Sequence, residues 1–371
     1  TSGWMPGDIK GAFLADTETT ALVGSGELVT NGTFDTNITG WSGARGNETL
    51  SLSSNTLLAT ATAAGAYGSV QSLGLLAVGT YILAADITTN ASNSSAFLRV
   101  NADATLNSSA PVSTGIGAGA VSTTVTTTFT VTTAANHWIG SIAVATAGGA
   151  TVSIDNVSLK LADADRSVNN KGLVVNGTIT RTAVATGAEL VGYSGFSATN
   201  YLEQPYNSAL DFGTGDFSVM GWVKVSTYTA LDHIFERGVS GSTANRFGIY
   251  MDGSELRAFL NTTILTGGGA SFGSWEFFTL VRRSGVVYFY RNGQLKISQA
   301  DVNDITNIGA ILVVGNKPGN SRPLSNSSLA LMRISATGPS AAQIAKTYND
   351  EKFLFQDGAA CTLYGTSDAV T

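Results

Sequence analysis

The sequence predicts an all-β chain of two antiparallel β-sandwiches with one short helix near its C-terminal end. Three observations predict this. Short runs rich in β-branched and aromatic residues recur along the chain, bounded by Gly, Asn and Ser clusters. The sequence holds 43 Gly but only 6 Pro, and 12% of its residues are charged, a mix that suits short strands joined by tight turns. In YFYRNGQLKI, Asn292-Gly293 falls between two alternating runs, the strongest short hairpin signal. With 371 residues the chain can bury two or three cores, and 43% hydrophobic residues with a net charge of −6 argue against disorder.

Each element follows from local pattern. Gly11–Asp16 (GAFLAD) reads as an opening strand. In ELVTNGTFDTNITGW, residues 27–41, Asn31-Gly32 supplies a turn at positive φ, and Phe34 and Trp41 are bulky enough to anchor a core. Strands are expected over Thr49–Ala61, Gly79–Thr88, Ala96–Val100, Val121–Val131 and Trp138–Ala145. Ala150–Lys160 then closes this set with Ile154, Val157 and Leu159. Asp165–Gly172 (DRSVNNKG) is a turn before Leu173–Val175 and Asn176-Gly177. Asn200–Lys224, NYLEQPYNSALDFGTGDFSVMGWVK, holds two strand runs around polar and Gly-rich turns. Further strands are expected over Arg246–Met251, Leu256–Leu260, Glu276–Arg282, Val286–Arg291, Gln294–Ser298, Ala310–Val314 and Leu329–Ile334. The last of these is apolar on both faces, so its outer side needs cover from the terminal helix, another module, a neighbouring subunit or a following region. The helix spans Ser340–Asp350: Ser340 and Gln343 form a capping box, and Ile344 and Tyr348 share a face.

Two resemblances rest on these residues. Asn200–Lys224 resembles the "YL…P.N..L.F..GDF.V..WV" run of laminin-G-like domains, a branch of the concanavalin A-like sandwiches, where it marks two neighbouring strands. The Asn292-Gly293 hairpin and the "S..QI…Y" helix extend that likeness to about Phe355. ELVTNGTFDTNITGW and ATVSIDNVSLK resemble the opening and closing strands of jelly-roll carbohydrate-binding modules found beside glycanases, and there the Trp41 position packs inward. Together they imply a discontinuous layout. Residues 1–24 give the first strand of a laminin-G-like sandwich, 25–162 an inserted carbohydrate-binding-module-like jelly roll, and 163–357 the rest of that sandwich. Residues 358–371 are the start of a further region or linker, since CTLYGTSDAVT reads like an opening strand and the polypeptide is expected to continue or to have been cut there. The alternative is an N-terminal arm followed by two independent domains. Insertion at a loop is tolerated because closure entropy grows slowly with loop length.

The chemistry-bearing residues are few. Of the two histidines, His137 and His233, neither has a partner at metal-ligand spacing. Glu236, Glu255 and Glu276 are isolated, without the clustered carboxylates of sandwich glycosidases, so no catalytic residue is assigned and an enzyme is not expected. Laminin-G-like domains often hold Ca²⁺ through a "G.IDEVRI" strand, but here Ala330 and Leu331 replace the acidic pair, leaving Asp16, Asp163, Asp165 and Asp211 as candidate ligands. For carbohydrate, a flat aromatic with nearby donors points to Tyr67, Tyr81, Arg99 and Trp138 in the jelly roll. In the second sandwich the polar loop Gly315–Ser327 offers Asn316, Asn320, Arg322 and Asn326, with the Glu236–Arg246 loop expected nearby.

Scattered Lys and Arg and a pI near 4.9 argue against nucleic acid as a partner. No run approaches the ~18 apolar residues of a membrane span. Cys361 is the only cysteine and TSGWMPGDIKG lacks a signal-peptide pattern, which points to assembly in a reducing cytoplasm. The run from Asp165 to Phe217 resembles laminin-G-like structural proteins of bacteriophages, particularly marine ones. That resemblance implies a non-enzymatic tail-fibre-type protein at the virion surface, homo-oligomeric with a trimer favoured, that binds host cell-surface glycan alongside other virion proteins. Alternatives are a structural capsid decoration protein without receptor binding, or an accessory binding region of a glycan-degrading enzyme.

Overall fold

The computed structural model of the chain describes residue 5 and residues 7–24, 26–107, 111–227 and 231–363. It is all-β, with two compact units: residues 25–162 form one, and residues 1–24 with 163–371 form the other. The larger unit opens with β1 (Ile9–Phe13) and β2 (Leu22–Val23). The smaller unit holds β3 (Ser42–Gly43), β4 (Glu48–Ser53), β5 (Thr56–Ala61), β6 (Gly65–Leu76) and β7 (Gly79–Thr89). It continues with β8 (Asn93–Asn101), β9 (Pro111–Gly117), β10 (Val121–Val131), β11 (Ala135–Ala145) and β12 (Thr151–Asp163).

The chain then returns to the larger unit. First come β13 (Leu173–Asn176), β14 (Thr178–Ala183), β15 (Val191–Ser194), β16 (Tyr201–Gln204) and β17 (Phe217–Val225). Next are β18 (His233–Gly238), β19 (Phe247–Asp252), β20 (Glu255–Leu260), β21 (Thr263–Gly269) and β22 (Trp275–Arg283). The last strands are β23 (Val286–Arg291), β24 (Gln294–Ala300), β25 (Ile311–Val314) and β26 (Ser327–Ser335), followed by the helix α1 (Ala341–Glu351). The strand expected at the C-terminal end lies, from residue 364 on, outside the described residues, and Cys361–Leu363 is not strand.

In the smaller unit the sheet β3-β6-β11-β8-β9 faces the sheet β10-β7-β12-β5-β4. Alternation explains the strands: in β5 every second residue is buried, and Leu57, Ala59 and Ala61 point into a core with Phe34, Trp41, Tyr67, Leu83 and Ile154. Trp41 packs edge-on against Phe34 at 5.4 Å, the inward role its position implied. The single strand expected over Thr49–Ala61 is a hairpin, because Ser54 and Asn55 both take positive φ (51° and 60°) and fold β4 back onto β5. β6 and β9 were hidden by small residues that blur the alternation.

In the larger unit one sheet runs β2-β14-β15-β26-β17-β22-β23-β24 and the other β13-β16-β25-β18-β19-β20-β21. Phe217 and Phe278 of the first meet Phe235 and Phe247 of the second, with ring centroids 5.0–6.3 Å apart. The two runs in Asn200–Lys224 do not lie side by side. β16 pairs with β13 and β25, whereas β17 pairs with β22 and β26 in the opposite sheet.

The opening strand pairs with β26, from Ile9↔Ser335 to Phe13↔Met332, and ends at Phe13 because Leu14 turns to φ 55°. Its other edge is held by the end of β12 and the segment after it. Asp165 Oδ1 accepts from Ala12 N at 2.9 Å, Asp163 Oδ2 from Leu14 N at 3.0 Å, and Arg166 N donates to Ala12 O at 2.9 Å.

The apolar outer face of β26 is covered by the chain itself. Ala330 and Leu331 pack with Ile344 of α1, Leu354 and Cys361 in one buried cluster that also takes Met220, Trp222 and Phe277. That strand therefore gives no argument for a subunit neighbour. The helix is capped as expected: Ser340 Oγ accepts from Gln343 N and Gln343 Oε1 from Ser340 N. Its final residue, Glu351, is buried. It accepts from Trp222 Nε1 at 2.8 Å and from Arg333 Nη2 at 3.1 Å, tying α1 to β17 and β26. The Asn292-Gly293 hairpin lies under the helix. Gly293 has φ 74°, and an added Cβ would come within 3.1 Å of Ala345 Cα, so both backbone and space demand glycine.

Candidate functional site

The four carboxylates nominated for Ca²⁺ are structural acceptors. Asp16 pairs with Arg181 and caps Thr17 N and Glu18 N. Asp163 is buried and accepts from Leu14 N and from Tyr193 Oη, the latter at 2.9 Å. Asp165 accepts from Ala12 N, Ser167 N, Ser167 Oγ and Lys171 N. Asp211 pairs with Arg237 and accepts from Tyr206 Oη and Asn307 N. Burial raises the Asp163 carboxyl to about 6, so its charged form is less favourable than that of an ordinary carboxylate. Their lone pairs already serve N–H and O–H donors, and among the described residues no three His, Cys, Asp or Glu side chains converge. This donor set does not fit Ca²⁺.

The jelly-roll candidates separate in two. Tyr67 and Tyr81 are core residues, 0% and 4% exposed, and neither offers a ring face to a sugar. Tyr67 Oη donates to Asn93 Oδ1 and Tyr81 Oη to the Ala77 carbonyl, and burial raises both phenols, Tyr67 to about 12. Arg99 and Trp138 do share a face. β11 runs beside β8 with Gly140 opposite Arg99 and Trp138 opposite Asn101. Arg99 Nη1 donates to the Leu106 carbonyl and Nε to Ser113 Oγ, with its guanidinium 4.6 Å from the Phe97 ring centre. However, wholly buried Leu106 sits on that face with Val70 and Ile142, and Trp138 packs against them. The chain's own loop thus occupies part of the surface expected to stack on sugar. A cleft of about 560 Å³ in this unit is lined by Asn101, Asp103, Thr130 and His137, without an aromatic wall.

In the larger unit the loops Gly315–Ser327 and Glu236–Arg246 do meet, since a Cβ on Gly319 would lie 2.5 Å from Ser240 Oγ. Asn316, nominated as a ligand donor, is fully buried and staples its own loop: Nδ2 donates to Ser197 O, and Oδ1 accepts from Lys317 N and Arg322 N. Asn320 and Arg322 remain half-buried at the loop, and Asn320 turns the chain at φ 53°. His233 is likewise structural: Nδ1 lies 2.8 Å from Leu231 O, Nε2 lies 3.1 Å from Glu236, and the ring stacks on Tyr250.

An aromatic site in this unit lies elsewhere, beside α1. A cleft of about 600 Å³ is walled by Trp222, Trp275, Tyr348 and Phe355, with Lys224 and Lys352 at its edges. Phe355 stacks on buried Trp222 at 4.2 Å and tilts against Trp275 at 4.9 Å; Tyr348 stacks on Trp222 at 5.7 Å. Trp275, Tyr348 and Phe355 are half-buried, so their rings are held from behind and open in front. Trp275 Nε1 donates to the Val184 carbonyl at 2.9 Å, which fixes the indole plane. The sheet register brings Lys224 directly opposite Trp275, and the helix delivers Tyr348 and Lys352 one turn apart. Rigid flat rings with cations at the rim can stack on a sugar and bond its polar groups. Sequence reading missed this site because its rings come from a strand start, a helix and the residues after it. The only local signal was the helical spacing of Tyr348 and Lys352.

Residues 196–345 match a laminin G family described as the concanavalin A-like lectin/glucanases superfamily. No curated protein matches the sequence. Among solved structures, the binding domain of Paraclostridial mosquitocidal protein 1 is similar at 14% identity and a TM-score of 0.42, over 51% of this chain and 49% of that one. Domain 4 of a GH43 extracellular arabinanase from Geobacillus stearothermophilus, in complex with arabinotriose, is similar at 19% identity and a TM-score of 0.40, over 50% and 92%. The receptor-binding domain of botulinum neurotoxin C/D mosaic serotype shows 15% identity and a TM-score of 0.41, over 51% and 49%. The chain thus spans about half the length of two of these three structures. The larger unit, over residues 196–345, carries a concanavalin A-like lectin/glucanase domain.

Proposed function

We propose that the chain is a non-enzymatic carbohydrate-binding protein that takes sugar in the cleft beside α1. The observation that carries this reading is the fixed aromatic wall of Trp275, Tyr348 and Phe355 in a lectin-family domain. The cleft has the volume of a small-ligand site, on the order of 300–1,000 Å³. Glycoside hydrolysis needs two carboxyl groups flanking the scissile bond. Among the described residues Asp357 is the one acid lining this cleft, and its Oδ1 accepts from Thr186 N at 3.1 Å. That lining supports binding without turnover.

The likeness of the run from Asp165 to Phe217 to phage structural proteins supports placing this activity on a virion surface, facing host glycan. A glycan array probed with the native chain and with Trp275→Ala tests the reading. Array signal that drops at least about tenfold in the variant, as loss of a stacking ring requires, supports it. Equal binding by both proteins, or cleavage of the bound sugar, contradicts it. Antibody labelling of intact particles tests the setting.

A further inference from the structure

We propose that the ligand is an acidic sugar, and that its groove continues past Tyr348 into a second cleft; this rests on the reading that the site binds glycan. Tyr348 lines both the 600 Å³ cleft and a neighbouring one of about 400 Å³. Lys224 and Lys352 line the first and Lys296 the second. Three of the chain's eight lysines therefore gather around one tyrosine, in a protein whose net charge is −6.

None of the three has a carboxylate partner among the described residues. Lys352 Nζ donates to a neutral acceptor, Asn349 Oδ1, at 2.9 Å and lies 5.6 Å from the Tyr348 ring centre. Lys224 and Lys296 make no side-chain hydrogen bond or ion pair with the described residues. Of the five other lysines, two pair with carboxylates, Lys10 with Asp8 and Lys346 with Asp350. The acids in the two clefts do not balance them. Glu276 is buried and committed to Arg291, whose Nη1 also donates to the carbonyls of Gly267, Gly268 and Gly269. That leaves Asp357 alone against three ammonium groups.

A neutral sugar would need only the rings and hydrogen bonds. Half-buried Lys224, fixed in β17 opposite Trp275 and Ser328, instead sets a partly desolvated cation at the aromatic wall, where an anion stabilises it. Asn292 and Gln294 in the second cleft supply neutral groups for sugar hydroxyls. Free carboxylates and sulfate monoesters share the required charge, so both fit the class.

Calorimetry on the full chain tests this with three probes: a galacturonic acid oligosaccharide, the matched neutral galactose oligosaccharide and a sulfated dextran oligosaccharide. At least one acidic probe should bind about tenfold more tightly than the neutral one at low salt and lose that advantage as salt rises. Lys224→Gln and Lys352→Gln should each weaken acidic binding about 3–10-fold and weaken neutral binding by less, so that the preference for the acidic probe shrinks. Preference for one acidic probe identifies the anion. Equal affinity for acidic and neutral probes, or acidic binding untouched by both substitutions, overturns the proposal while glycan binding stands. Absence of binding to every probe and to a glycan array overturns both.

Discussion

At the residue scale, Asp163 shows how a side chain picked for one role serves another. It was nominated as a cation ligand, yet it holds Leu14 N and Tyr193 Oη in the interior. Burial raises its carboxyl from 3.8 to about 6, so the folded chain binds this proton more tightly than the unfolded chain does. Between roughly pH 4 and 6 the unfolded state has released a proton that the folded state keeps, so the contribution of this group to stability falls as pH rises. Asp163→Asn removes that dependence. Urea unfolding of both proteins should show the variant gaining about 2–3 kcal/mol relative to the native chain from pH 4 to pH 7; parallel profiles would refute the assignment. Identity was legible at this scale, but exposure was not. Tyr67 has the chemistry of a stacking platform, and only the pairing of β6 with β11 reveals that it faces the core.

At the scale of elements, local signals survived where the chain decides its own geometry. The Asn292-Gly293 hairpin and the Ser340/Gln343 capping box formed as expected, because each needs only neighbours in sequence. The Ser54-Asn55 turn was missed since it reaches positive φ without glycine. The lysine–tryptophan pair of the cleft was illegible for another reason: Lys224 meets Trp275 through a register fixed by the whole sheet. Helix α1 is the element on which the site depends. Ser340→Ala should cost about 1 kcal/mol in thermal unfolding, the usual worth of a cap. Glu351→Ala should cost about 3–5 kcal/mol, because it strands the buried Arg333 guanidinium. It should also weaken sugar binding, because Tyr348 and Phe355 lose their anchor. A Glu351→Ala chain as stable as the native one would show that this buried pair does not hold the helix down.

At the scale of the molecule, two compact units share one polypeptide. The larger is built from both ends of the sequence, with β1 hydrogen-bonded to β26 across more than three hundred residues. Removing residues 1–24 takes buried Ile9, Ala12 and Phe13 out of that unit, at about 1.5–3 kcal/mol for each large side chain. Calorimetry should show the transition of the larger unit lowered and that of residues 25–162 unmoved. The discontinuous pattern was readable because both ends carry recognisable strands. The covering of β26 by the chain's own helix was not, since an apolar face names no partner. The central claim, carbohydrate held beside α1 without chemistry, is tested most directly by following backbone amide and tryptophan indole N–H resonances of the labelled chain during titration with a glycan that binds. The Trp275 signal should shift in proportion to occupancy while the sugar is recovered intact. Shifts confined to the Gly315–Ser327 loop or to the smaller unit, with Trp275 unmoved, would contradict it.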